Sequence, residues 1–109
     1  MKRDFDLIRA IILELEARQE FEEKQFYEAL ERRYQWKDIR GHLELLEREG
    51  MVTWEFICSD GSHYRLRLKW KGHDLADAMR SEVAWSRVRG QIKNGISLKE
   101  LMELLWENQ

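Results

Sequence analysis

The chain has no proline, one cysteine (Cys58) and only six glycines in 109 residues. Turn-rich β folds need many glycines and prolines, so this scarcity points to helices joined by short connections. A lone cysteine excludes an intrachain disulfide and a thiolate cluster for zinc, and it suits a reducing cytoplasm, the setting expected for this chain. No apolar run approaches the ~20 residues that cross a bilayer, so no membrane association is expected. The opening MKRDFDLIR carries Asp4 and Asp6 where a signal peptide needs a clean apolar stretch, so none is expected either. Gly-rich phosphate loops, a nucleophile elbow and His–acid motifs are also missing. No enzyme activity, catalytic residue or cofactor is expected.

What the chain does have is 43% hydrophobic and 37% charged residues, a balance that folds. Its length suits one domain over 1–109. The net charge is −2, and acids and bases are mixed throughout; only residues 36–72 lean positive. A dedicated nucleic-acid binder usually shows a strong basic excess.

Phe5, Ile8, Ile12 and Leu15 fall at helical spacing and predict a first helix over about 4–18, with Asp4 as N-cap. Gln19–Lys24 reads as a connection. Phe26, Ala29, Leu30 and Tyr34 mark a second, shorter helix. Ile39, Leu43 and Leu46 give one apolar face to a third helix over 37–49, closed by Gly50. "VTWEFICSDGSHYRLRLKW" then alternates on both arms and predicts a hairpin over 52–70. Val52, Trp54, Phe56 and Cys58 share one face with Tyr64, Leu66, Leu68 and Trp70, and Arg65, Arg67 and Lys69 share the other. After Gly72, Leu75, Met79 and Val83 resume helical spacing, with a break expected at Arg80–Glu82. Ser97 and Glu100 form a capping box, with Ile96 and Leu101 as its staple, and open a last helix to about Trp106.

The expected fold is mainly α with a β-hairpin. Its order, three helices and then a two-stranded wing over 1–72, is that of a winged helix-turn-helix, with a helical extension over 73–109. Ile39, Arg40, Gly41, His42, Leu43, Leu46, Glu47, Gly50, Met51 and Val52 resemble in register the reading helix of many bacterial winged-helix regulators. Across nearly the whole chain, "MKRDFDLIRAIILELE", "HLELLEREGMV" and "LKWKGHDLADAMRSEVAW" resemble a family of short bacterial, phage and prophage proteins of unknown function. Its members open with an MKRD-x-DLIR-like start. The resemblance implies a winged helix, a bacterial or phage origin and a cytoplasmic setting, and no established activity.

The residues that bear on function lie on the third helix and the wing. In a winged-helix pose, Lys37, Asp38, Arg40, Gly41 and Glu44 reach base edges or phosphates of double-stranded DNA. Lys37 and Arg40 suit that task, Glu44 opposes phosphate, and Gly41 opens room for a close backbone approach. Arg65, Arg67, Lys69 and Lys71 form a basic stripe that could follow a phosphate backbone, with Ser59, Asp60, Ser62 and His63 at the tip. The same stripe could equally protect an exposed strand edge. Cys58, His63 and His73 lack the paired spacing of a metal site. The paired acids at Glu14–Glu16, Glu22–Glu23 and Glu47–Glu49 read as solvated helix faces. Of the five tryptophans, most are expected in the core, Trp36 on the surface, and Trp85 or Trp106 in a homodimer interface through the C-terminal helices. Two functions stand: a DNA-binding protein, as in a phage or prophage transcriptional regulator, or a protein-interaction module that binds a host or phage protein or its own copy.

Overall fold

Helix α1 (Phe5–Ala17) starts where Asp4 Oδ1 accepts a hydrogen bond from the Leu7 N–H at 3.1 Å. The computed structural model describes residues 2–18, 22–56, 64–92 and 96–109, excepting the side chains of Phe56 and Tyr64. Leu7, Ile8, Ile11 and Ile12 of α1 are fully buried. Burial of side chains of this size stabilises by about 1.5–3 kcal/mol each, so α1 anchors the core. It packs against α2 (Glu23–Glu31), α3 (Trp36–Arg48), a strand and a C-terminal helix. Phe26 and Leu30 are the buried residues of α2.

The end of α3 is a Schellman motif. Gly50 has φ +76°, which favours glycine. Its N–H donates to the Glu47 carbonyl at 3.1 Å, and the Met51 N–H donates to the Leu46 carbonyl at 2.9 Å. This turn feeds β1 (Val52–Phe56), which pairs antiparallel with β2 (Tyr64–Leu68). Val52 stands opposite Leu68 and Glu55 opposite Arg65. Val52, Leu66 and Leu68 turn inward, so the alternation places the core face as expected.

The second arm of the hairpin is shorter than its sequence pattern. It ends at Leu68, and the Lys69 N–H donates to the Met51 carbonyl at 2.9 Å. Trp70 is the first residue of α4 (Trp70–Met79), so the helix begins before Gly72 rather than after it. The reason is packing. Gly72, Leu75, Ala76 and Met79 form the buried stripe of α4. A Cβ on Gly72 would lie 2.1 Å from the Met51 carbonyl oxygen. Trp70 is two residues from Gly72, about 200° around the helix, and is 88% exposed. It is therefore no core residue, and Trp54 is also partly exposed, at 37%.

The helix break expected at Arg80–Glu82 is present, between α4 and α5 (Glu82–Arg89), and Ser81 Oγ caps the Ala84 N–H at 3.1 Å. Ser97 and Glu100 make the capping box of α6 (Leu98–Glu107). Leu75, Met79, Trp85, Val88, Leu98, Leu101 and Leu105 join the same apolar cluster as α1, α3 and the hairpin. Polar ties fasten α1 to this C-terminal part. Arg9 Nε donates to the Met79 carbonyl at 3.0 Å, Arg89 meets Asp6 at 2.8 Å, and Arg80 pairs with Glu16. The Trp85 indole donates to Asp6 at 3.3 Å, and its side chain is buried. Trp85 is thus occupied within the chain, whereas Trp106 is half-exposed. Among the described residues, no helix is long and apolar enough to cross a membrane.

Candidate nucleic-acid interface

Helix α3 divides into a buried side and an outer side. Ile39, His42, Leu43, Leu45 and Leu46 are buried. His42 is the one charged or polar side chain buried among the described residues. Its Nε2 accepts from the Asp4 N–H at 2.8 Å, and its Nδ1 lies 2.7 Å from the Asp38 carbonyl. Only a neutral ring protonated at Nδ1 satisfies both contacts, since Nε2 must keep its lone pair. His42 therefore fixes α3 to the N-cap of α1.

The outer side is a shallow groove of about 860 Å³. Lys37, Arg40, Gly41, Glu44 and Arg48 run along it at helical spacing, and Arg3, from the segment before α1, closes one side. Arg3 Nη1 donates to the Ile96 carbonyl at 2.8 Å, so that C-terminal segment helps hold the guanidinium. Trp36 is 46% exposed and stacks edge-on to Tyr27, ring centroids 4.8 Å apart. Burial, then the nearby Glu23, pushes the Tyr27 phenol above its ordinary value of 10.0, so it stays neutral beside Trp36.

Four cations thus face two acids, Asp38 and Glu44. Arg40 Nε and Glu44 lie 3.6 Å apart, both largely exposed. Such a pair contributes about 0–1 kcal/mol, and an approaching phosphate can replace the carboxylate. Lys37 and Arg48 form no ion pair with any described residue. Lys37, Arg40, Gly41 and Glu44 lie together in the groove, as their spacing predicts. Arg48 continues that spacing one turn further and was readable from it. Arg3 had no such signal, because only the packing of α1 on α3 brings it here.

The hairpin face is different. Glu55 Oε2 lies 3.3 Å from Arg65 Nη2 and 3.0 Å from Arg67 Nε, so one carboxylate ties both arginines. Lys69 follows them in extended backbone, but as the N-cap of α4, and Lys71 is turned away inside that helix. This face borders Leu15, Glu16 and Arg18 at the far end of α1 from Arg3. α1 has 13 residues. That length separates the two basic surfaces by about 20 Å along the helix. His63, Ser59, Asp60, Ser62 and Cys58 lie outside the described residues. His73 borders the hairpin face, and no three His, Cys, Asp or Glu side chains gather as a metal site among the described residues.

A family described as "Hypothetical protein (DUF2513)" matches residues 2–98. The chain belongs to this family. That span takes in α1 to α5, with the α3 groove and both strands inside it. A protein of Haemophilus influenzae described as "Uncharacterized protein" is 29% identical over 96 residues, which covers 86% of this chain and 80% of the relative. No solved structure matches the chain.

Proposed function

We propose that this family member is a DNA-binding protein of winged-helix type, with α3 in the major groove of a duplex and the β1–β2 hairpin as its wing. The observation that carries the reading is the α3 groove, where Arg3, Lys37, Arg40 and Arg48 converge. Lys37 and Arg48 stand without ion pairs among the described residues, so they meet phosphate without first losing a partner. The helix also presents Gly41 mid-face, which lets a sugar–phosphate strand come close. Three helices followed at once by an antiparallel hairpin support the winged-helix assignment.

The test is duplex binding by fluorescence anisotropy across a salt series. Binding at low salt with a log–log salt slope of about −3 to −4 is expected for four phosphate contacts. Absence of binding at low salt would overturn the reading.

A second reading, a protein-interaction module using the same face, draws on the Arg40–Glu44 pair and on Glu55 across the hairpin. These acids break up a continuous positive band. On this reading duplex DNA fails to bind, and charge-reversal of Glu44 abolishes a protein complex instead.

A further inference from the structure

Phosphate binding along α3 leaves Glu44 unexplained. Lys37, Gly41, Glu44 and Arg48 follow one another at i, i+4, i+7 and i+11, so they form a single outward row. Glu44 is the one acid in that row, with Arg40 one turn before it and Arg48 one turn after it. Asp38 stands off the row and also borders a separate depression with Asp6 and Arg89. Arg40 and Glu44 approach through Nε and Oε1, 3.6 Å apart, with side chains 69% and 61% exposed. Neither has another hydrogen bond or ion pair among the described residues. Arg40 Nη1 and Nη2 are therefore unused there, and so is Glu44 Oε2.

The pair sits on the middle turns of a 13-residue helix. With that helix in the major groove, its middle faces base edges, while phosphates line the rims. A carboxylate repels phosphate, so at this place it adds affinity only where a base offers it a donor. Cytosine N4 and adenine N6 are those donors. The guanidinium decides between them. Two terminal nitrogens side by side match guanine O6 and N7, and no other base offers two acceptors on that edge. Glu44 engages Arg40 through Nε, which leaves that fork free. Gly41, next to Arg40, has no side chain to hold the bases off. We infer that Arg40 and Glu44 together read a G·C pair: Arg40 donates to guanine O6 and N7, and Glu44 accepts from a cytosine N4 amine of the same base pair or its neighbour. Lys37, Arg48 and Arg3 then hold phosphates. This rests on the DNA-binding reading of α3 and gives it a sequence preference.

The test is selection of duplexes from a random pool by the full chain, followed by fluorescence anisotropy on the selected site. A fixed G·C pair is expected in the selected duplexes. Replacing its guanine by 7-deazaguanine, which removes N7, should weaken binding about tenfold. Arg40→Ala should lose that penalty and bind selected and random duplexes nearly alike. Glu44→Gln should behave differently. It should bind random duplex about twofold or more tightly at low salt, because a charge that repels phosphate is gone. It should also accept adenine in place of the contacted cytosine, because an amide pairs with adenine N6 and N7. Both side chains are exposed, so unchanged melting temperatures are the control. Binding without a G·C preference, or a preference that R40A and E44Q leave intact, would overturn the inference and spare the DNA reading, since the pair would then be an ordinary surface ion pair. Absence of any duplex binding at low salt would overturn both.

Discussion

The outer face of α3 and the outer face of the hairpin both look basic in sequence, and they differ in what stands opposite each cation. On the hairpin a single carboxylate, Glu55, bonds Arg65 and Arg67 together. On α3 Arg40 is ion-paired to Glu44 and Arg3, arriving from another part of the chain, donates to the Ile96 carbonyl, while Lys37 and Arg48 have no ion pair among the described residues. Charge written along a strand is thus not the same as charge available to a phosphate. A cross-strand acid neutralises a stripe that alternation alone makes look continuous. The two faces also rest on different supports. The α3 face is set by His42 and the buried side of its own helix, and the hairpin face by the Gly72 junction with α4.

The largest expected effect breaks that second support. Gly72→Ala should cost more than about 3 kcal/mol in urea unfolding, because its Cβ has no room beside the Met51 carbonyl and the strand entry or α4 must shift. A loss under 1 kcal/mol would mean the junction yields easily. Next, His42→Leu removes the support of the α3 face. It leaves the Asp4 N–H without its acceptor, and a cost of about 2 kcal/mol is expected, read by thermal or urea unfolding. An unchanged stability would show that the contact contributes nothing.

The remaining tests set the two faces against each other directly. K37A/R48A should weaken duplex binding about tenfold at low salt and reduce the salt slope by about 2, with no change in melting temperature. R65A/R67A should alter binding less than about threefold, since those guanidiniums are already engaged. Equal losses from the two double variants would erase the distinction. The smallest effect is expected for Glu55→Gln, within about 0.5 kcal/mol of stability, because both pairs are partly exposed and screened by solvent. That variant should also raise duplex affinity slightly and make R65A/R67A costly in its background, if Glu55 is what silences the hairpin arginines.

Much of this architecture is legible in sequence because it rests on local rules. Asp4 as a cap, Gly50 as a left-handed terminator, Ser97 with Glu100, and the break before Glu82 are each set by side chains within a few residues. The residues lining α3 were legible for the same reason, since helical spacing places Lys37, Arg40, Gly41 and Glu44 on one face. Trp70 misled the pattern. Period-two alternation carried it into β2, yet the close approach of Gly72 to Met51 requires helix there and turns the indole outward. Trp85 shows a different limit, because nothing local to it signals that Asp6, 79 residues away, accepts its indole N–H.

By itself, then, the amino-acid sequence determined where helices and strands form, the β2–α4 boundary excepted, and which side of most is apolar, because capping, turn geometry and periodicity act over one or two turns. It also excluded an intrachain disulfide and a long apolar run of membrane-spanning length. Tertiary structure alone decided which charges remain available. Arg3 joins the α3 groove, Glu55 captures two arginines and Trp70 stands in solvent because distant segments pack against one another. The free energy of a charge or an indole depends on those neighbours rather than on its place in the chain.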